Sequence, residues 1–189
     1  MENDNKLIAS LLLVTLSWFP LSSSASTGES VNICYNYSCS NQALVTFSES
    51  RLTALRDRLS ASSDGDQERG VLAQVVGRLY AWAGETTPIA NDRGGNYPDA
   101  GVEGRMDCID HSKTTTRLLR MLEARGWLKF HRVLDPILRR RFIFAEHRSA
   151  VIAETASQQR FVVDSWFVDN GKAAVVLPLK AWLNGAGPD

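Results

Sequence analysis

The hydrophobic period of this chain changes at Gly126. Before that residue, apolar side chains recur at helical spacing in three segments, residues 48–59, 66–83 and 107–125. After it, apolar and polar residues alternate as in half-buried strands, along residues 128–134, 143–151 and 162–166. Helices followed by strands are typical of an α+β fold. We therefore expect N-terminal helices packed on an antiparallel β-sheet.

Two further segments complete this prediction. Residues 44–47 favour a short strand ahead of the first helix. Residues 84–105 hold five Gly and two Pro with Asn and Asp among them, which predicts a long loop. Loops of that length in compact domains usually have a function or move.

The first residues favour export. An apolar run from Leu7 to Leu21 is followed by small side chains up to Ala25, which is the pattern of a signal peptide. We expect residues 1–25 to be removed and residues 26–189 to form a single domain, periplasmic or secreted. Because Glu2 and Asp4 offset Lys6, an uncleaved anchor remains an alternative, although the run is short for a full span.

The balance of basic and acidic residues gives no support for a strongly charged partner. The chain holds 21 basic and 21 acidic residues, and removing residues 1–25 leaves it close to neutral. Nothing in that balance favours nucleic acid or stable insertion in a membrane after signal cleavage.

Two of the three cysteines can form a disulfide with each other, and the third is left without a partner cysteine. Cys34 and Cys39 are close enough to close a small loop, and an oxidising compartment favours that disulfide. A redox pair or half a zinc site is a weaker alternative, because the spacing is not that of a thioredoxin motif and no second pair completes a metal set. Cys108 is left as a free thiol.

Cys108 stands at the predicted start of the helix at 107–125. Asp107 is suited to the N-cap and Asp110 to the acidic position of a capping box. The helix N-terminus favours a thiolate, whereas the two aspartates oppose it, so the sequence does not decide the sign of the shift in the thiol pKa.

A base and an acid follow in the strand region. His147 and Asp164 lie on neighbouring predicted strands, and a hairpin closed at Ser157-Gln158 puts both on one side of the sheet. In that register His147 faces Val168, so Asp164 falls four residues short of it. Twist, a bulge or a longer loop would have to bring the two together.

These residues carry a resemblance to a known family. A helix-initial Cys, a strand His and a second strand ending in Val-Asp-Ser-Trp resemble the core of the transglutaminase-like cysteine proteases, a branch of the papain-like fold, over residues 107–182. The resemblance implies Cys108 as nucleophile, His147 as its base and Asp164 as the acid that orients the histidine. It implies acyl transfer at amide bonds of peptide or protein substrates, to water in a peptidase or amidase or to an amine in a transglutaminase, and we favour hydrolysis. We expect no cofactor.

Other interpretations stay open. The chain could be a non-catalytic module that binds peptide or glycan in a groove lined by Trp127, Trp166 and Trp182. A metal site built from Cys108, His111, His147 and Asp164 lacks a recognisable spacing. His111, one turn along the same helix, is a rival base. We expect His131, placed between basic residues, to be solvated.

Overall fold

The computed structural model describes residues 28–95, 98–141 and 145–188. The predicted signal segment, residues 1–25, lies outside them. Within the described ranges the chain forms four α-helices and two antiparallel sheets, which is the α+β arrangement that the sequence predicts. In chain order the elements are β1 (Glu29–Tyr35), β2 (Asn41–Phe47), α1 (Glu49–Ser60), α2 (Gly65–Gly84), a 3₁₀ turn (Pro88–Asn91), α3 (Cys108–Ala124), β3 (His131–Arg141), β4 (Ala145–Glu154), β5 (Arg160–Asp164), β6 (Val175–Pro178) and α4 (Leu179–Leu183).

The first sheet is a hairpin of β1 and β2 that packs on α3. Cys34 and Cys39 form a disulfide across its turn. The backbone N–H of Cys34 donates to the Thr114 hydroxyl of α3, over 3.0 Å, and that of Asn36 donates to the carbonyl of Arg105, over 2.8 Å. Ile33 is fully buried. The hairpin is therefore anchored to the region where α3 begins.

The second sheet is an antiparallel meander in the order β3-β4-β5-β6. Its first three strands overlap the predicted ones, although β3 is displaced to His131–Arg141 from the predicted residues 128–134. The observed register between β4 and β5 differs from the predicted one, since Ala150 faces Val163 and Val151 faces Val162. Extending this register by one step sets Asp164 level with Ser149. The acid is thus two residues from His147 along the sheet and not four.

The turn between β4 and β5 explains the difference. Gln158 adopts a left-handed conformation, with φ of 59°, and its N–H donates to the carbonyl of Glu154 over 2.9 Å. The ladder continues with the N–H of Glu154 on the carbonyl of Gln159, at 2.8 Å. The hairpin is therefore centred between Ala156 and Ser157. Glutamine has no special preference for positive φ, so the composition of the turn did not signal this geometry.

The two faces of the meander bury different clusters. On one face, Ala150, Ile152 and Val163 join the main core with residues of α2 and α3. On the other face, Val151 and Val162 pack with Trp182 of α4. The second cluster is small, and α4 covers it.

A buried acid ties α2 to the start of β3. Glu68 is fully buried and accepts hydrogen bonds from the backbone N–H of Lys129 at 2.7 Å and of Phe130 at 3.1 Å. It also lies 2.8 Å from Nδ1 of His131, whose side chain is buried as well. The expectation that His131 is solvated is therefore wrong. The basic neighbours in sequence misled that prediction, because the strand turns His131 inward while Lys129 reaches the surface.

Candidate functional site

Cys108 is the first residue of α3, and the predicted capping box is present. The Asp107 carboxylate accepts the N–H groups of Ile109, at 3.0 Å, and of Asp110, at 2.9 Å. The Asp110 carboxylate in turn accepts the N–H of Asp107, at 3.1 Å. The N–H of Cys108 has no acceptor within the described ranges. This donor of the first helical turn is therefore available to a ligand.

The thiol of Cys108 lies at the free edge of β4. The backbone N–H of Arg148 lies close enough to the sulfur to lower the pKa of the thiol. Strand β5 ends at Asp164, level with Ser149, so the earlier residues of β4 have no β5 partner on that side. Helix α3 packs on one face of the sheet and the ring of His147 lies on the other, against Trp182. The structure therefore pairs His147 with Asp164, as expected, but it does not bring the Cys108 sulfur within hydrogen-bond distance of Nδ1 of His147.

The ring of His147 is held through one nitrogen. Its Nε2 lies 2.7 Å from Oδ2 of Asp164. The same carboxylate accepts the indole N–H of Trp182 at 2.9 Å and the backbone N–H of Trp166 at 3.3 Å. An ionised carboxylate only accepts hydrogen bonds, so Nε2 carries the ring proton in the neutral imidazole.

The other ring nitrogen is free. Nδ1 of His147 is buried and has no hydrogen-bond partner within the described part of the chain, the Cys108 thiol included. In the tautomer that Asp164 selects, Nδ1 bears a lone pair. Burying an acceptor without a donor costs folding free energy, so an unpaired nitrogen such as Nδ1 is unusual in a folded protein.

Aromatic rings surround the imidazole. The ring centre of His147 lies 4.7 Å from that of Trp166, 5.4 Å from that of Phe167 and 5.5 Å from that of Trp182. The His147 side chain is only 6% exposed. These rings fix the orientation of the imidazole and keep bulk water from its hydrogen bond with Asp164. The electrostatic interaction between the two side chains is correspondingly less screened.

The environment of the thiol keeps it protonated. Burial raises the pKa of Cys108 above its ordinary value, and the charges of Asp107 and Asp164 raise it further. The hydrogen bond from Arg148 and the charge of that residue lower the pKa without reversing the shift. The shift whose sign the sequence did not decide is therefore upward, with burial as its largest cause.

The disulfide loop is bound to the capping acids of α3. The Asp110 carboxylate accepts the N–H of Tyr37, at 2.8 Å, and of Cys39, at 2.6 Å, while Asp107 accepts that of Ser38, at 2.9 Å. Burial and the charge of Asp107 raise the pKa of Asp110 to about 6, and its backbone hydrogen bonds oppose this rise. The loop is thus positioned by the same two acids that begin the helix of Cys108.

His111 belongs to a separate buried network. Its Nδ1 lies 2.8 Å from the hydroxyl of Ser165, which also lies 2.9 Å from that of Thr115 and 3.2 Å from that of Tyr80. Its Nε2 lies 3.0 Å from Oδ2 of Asp92, but the two atoms are not aligned as a hydrogen bond. Both ring nitrogens thus face this network, so the rival base is directed away from the thiol.

The residues of the hypothetical metal site are therefore not assembled as ligands. Within the described ranges, one group of potential ligand atoms lies close together, formed by Cys34, Cys39 and Asp110. Its two sulfurs are bonded to each other, and Asp110 is occupied by backbone N–H groups.

Sequence reasoning placed Trp182 in a binding groove and missed its hydrogen bond to Asp164. Trp182 is fully buried, and Trp166 is 8% exposed, so neither side chain lines an open groove. Trp127 is half-buried and packs beside the main core under the guanidinium of Arg125. The only sequence signal for Trp182 was its residue type, since α4 is too short to show a hydrophobic period.

A cleft of about 420 Å³ opens beside the thiol. It is lined by Ser38, Ile109, Ser112, Lys113, Pro136 and Arg148. A larger depression, of about 510 Å³, lies near Lys129 and Glu154, at the opposite end of β4 from His147. The smaller cleft is the one that is continuous with the residues described above.

Comparison with protein-family models, with curated proteins and with solved structures found no match for this chain. Among the residues described, no helix combines the length and the apolar character needed to cross a bilayer.

Proposed function

We propose that the chain is an exported cysteine-dependent acyl-transfer enzyme with a papain-like, transglutaminase-like core, acting as a peptidase or amidase. The observation that carries this proposal is the state of His147. Asp164 holds Nε2 and leaves Nδ1 buried and unpaired, and the charge of the same Asp164 acts on the Cys108 thiol. A base that is oriented by an acid and placed near a nucleophile defines nucleophilic catalysis.

The chemistry follows from these groups. The Cys108 sulfur attacks the carbonyl carbon of an amide while Nδ1 of His147 takes the thiol proton. The oxyanion that forms is stabilised by the free N–H of Cys108. The imidazolium, stabilised by Asp164, then protonates the leaving amine as the C–N bond breaks, and an acyl-enzyme remains.

The raised pKa of Cys108 favours this order of events. The resting thiol is protonated, so its proton moves as the substrate binds and the sulfur attacks, and not in advance. For this to happen the thiol must come within hydrogen-bond reach of Nδ1. Catalytic hydrogen bonds of this kind are often long in the free enzyme and shorten on the substrate complex.

The acyl-enzyme can pass to water or to an amine. Water gives a peptidase or amidase, and a second amine gives a transglutaminase. We favour hydrolysis, because water is abundant and no acceptor site for an amine was visible in the sequence. The Cys34–Cys39 disulfide supports the proposed export, since disulfides persist in oxidising compartments.

The competing proposal, a non-catalytic peptide- or glycan-binding module, has lost its structural argument. It depended on a groove lined by Trp127, Trp166 and Trp182, and two of these side chains are buried around Asp164 and His147. Those residues instead support the geometry of the imidazole.

The test is covalent capture followed by turnover. The folded protein is treated with peptidyl vinyl sulfones, which alkylate a nucleophilic thiol, and with a set of fluorogenic peptide amides. We expect one adduct on Cys108 by peptide mass mapping and hydrolysis of at least one substrate. Replacing Cys108 by Ala or His147 by Ala should abolish both capture and hydrolysis.

Arg140→Ala is the matched control, because Arg140 lies near His147 in the β3–β4 pair but is exposed. It should leave capture and turnover unchanged. Equal capture in wild type and His147→Ala, with circular dichroism showing both folded, would reject the proposed base. Absence of both capture and turnover in the folded wild type would reject the enzyme.

A further inference from the structure

The cleft beside Cys108 is cationic. Lys113 of α3 and Arg148 of β4 both line it, and both side chains are exposed. Within the described ranges neither has an ion-pair partner. Arg140, on the neighbouring strand β3, forms an ion pair with Glu146 instead. Neither cation of the cleft is therefore committed to an ion pair within the described protein.

The acids nearest to the cleft are occupied elsewhere. The carboxylates of Asp107 and Asp110 accept backbone N–H groups from the disulfide loop and from α3 itself. Asp135, beside Pro136, is exposed and forms an ion pair with Arg120. None of these acids lines the cleft.

The cleft lies next to the first turn of α3, which begins with the proposed nucleophile Cys108. The backbone N–H of Arg148 lies close enough to the Cys108 sulfur to affect its pKa, and the side chain of Arg148 lines the cleft. Ile109 and Ser112 follow Cys108 on α3 and form the adjacent wall. A substrate with its carbonyl carbon at the sulfur would therefore have a neighbouring part of its chain in this cleft.

We propose that the enzyme selects amide substrates that carry a carboxylate close to the scissile bond, with Arg148 and Lys113 as the groups that bind it. This inference rests on the proposed function. The guanidinium of Arg148 can bind a carboxylate through two parallel hydrogen bonds, and the ammonium of Lys113 adds a second positive charge. Ile109 and Pro136 offer apolar contact to the carbon atoms that carry the acid.

The carboxylate has two sources, an acidic side chain or a free chain terminus, and the substrates distinguish them. Matched fluorogenic peptides carry Glu, Gln or Lys beside the scissile amide, and a fourth carries Gln followed by a free terminal carboxylate. We expect wild type to favour the Glu or the free-carboxylate peptide over the Gln peptide by about tenfold or more in kcat/KM. Such a ratio corresponds to about 1.4 kcal/mol.

The preference should depend on the two cations and on salt. Arg148→Gln should reduce the ratio severalfold, and the double change Arg148→Glu with Lys113→Glu should turn the preference toward the Lys peptide. Raising the salt concentration should weaken the wild-type ratio, because exposed charges are screened. Arg160→Gln is the control, since Arg160 is exposed at the start of β5, away from the cleft. It should keep the wild-type ratio.

A binding measurement separates the two proposals. Calorimetry with Cys108→Ala protein compares the affinities of the Glu and Gln peptides without any need for turnover. Equal affinities together with equal kcat/KM would overturn the substrate inference and leave the proposed function standing. Selective binding of the Glu peptide by a protein that shows no turnover and no thiol capture would reject the enzyme and keep the carboxylate site.

Discussion

The indole nitrogen of Trp182 lies 2.9 Å from Oδ2 of Asp164, the same oxygen that lies 2.7 Å from Nε2 of His147. Two donors thus converge on one carboxylate oxygen, and the backbone N–H of Trp166 donates to the other oxygen at 3.3 Å. Trp182 comes from α4, after the sheet is complete. The orientation of the imidazole therefore depends on the last helix of the domain as well as on the strands.

Replacing Trp182 by Phe tests this positioning role. Phenylalanine keeps an aromatic ring beside His147 but removes the hydrogen bond to Asp164. A hydrogen bond to a charged group contributes about 1.5–3 kcal/mol, so kcat should fall by about tenfold to hundredfold while the protein stays folded. A loss of this size in kcat with little change in KM fits positioning. A KM effect alone would instead indicate that Trp182 contacts the substrate.

Replacing Asp164 by Asn should weaken activity less than His147→Ala does. An amide oxygen at the Oδ2 position still accepts the protons of His147 and Trp182, so the tautomer with Nδ1 free survives. The amide nitrogen, however, would then face the N–H of Trp166, and the negative charge that stabilises the imidazolium is lost. We expect a decrease in kcat/KM of about tenfold to hundredfold on any substrate found. Complete loss, equal to that of His147→Ala, would mean that the charge itself is essential.

Helix spacing and strand alternation were enough to predict the elements that hold the site. The capping residues Asp107 and Asp110 defined the start of α3, and thereby put Cys108 in the first turn. Alternation on β4 and β5 put His147 and Asp164 on one side of the sheet, because side-chain direction in a strand depends only on parity. These predictions rest on local backbone rules, and they needed no knowledge of the tertiary fold.

Distances between the elements could not be predicted in the same way. The β4–β5 register depends on a left-handed Gln158, which is a weak signal in sequence. The burial of Trp182 depends on α4, a helix of five residues whose position is decided by packing against the sheet. The inward direction of His131 depends on a partner, Glu68, that is 63 residues away in the chain.

The Glu68 site gives a prediction on stability. Replacing Glu68 by Ala leaves the N–H groups of Lys129 and Phe130 and the ring of His131 without their buried acceptor. We expect a loss of about 3–5 kcal/mol in the free energy of unfolding, measured with urea. Glu68→Gln keeps one oxygen and should lose less. If Glu68→Ala were as stable as wild type, the buried acid would have no structural role.

The disulfide loop gives a second prediction on stability. Asn36, Tyr37, Ser38 and Cys39 all have φ between 60° and 66°, a conformation that is unfavourable for residues with a side chain. Reduction removes the bond that closes this loop, which on the chain-entropy argument lowers the stability by about 2 kcal/mol. Urea unfolding with and without reductant should show this difference in wild type. The double variant Cys34→Ser, Cys39→Ser is the control, and its stability should not depend on reductant. An equal response in both proteins would mean that the reductant does not act through this disulfide.

The pH dependence of Cys108 alkylation tests the resting state of the site. Because the pKa of Cys108 is raised, the thiolate fraction at a given pH is smaller than for an ordinary thiol. The rate with iodoacetamide should therefore be very low near pH 6 and should rise only as the pH passes the usual range for a thiol, about 8.5. Peptide mass mapping should detect alkylation at Cys108 alone, because the other two cysteines form a disulfide.

The Asp107→Asn variant sharpens this measurement. The charge of Asp107 raises the pKa of Cys108, so removing it should move the alkylation profile to lower pH. Asparagine is also a good N-cap, which keeps α3 intact. Asp135→Asn is the matched control, because Asp135 is exposed, pairs with Arg120 and is not among the groups that shift the thiol. Its profile should coincide with that of wild type. Fast alkylation of wild type near pH 6 would contradict the neutral resting thiol. It would require instead a thiolate–imidazolium pair already formed between Cys108 and His147, and the proton transfer to Nδ1 would then precede substrate binding.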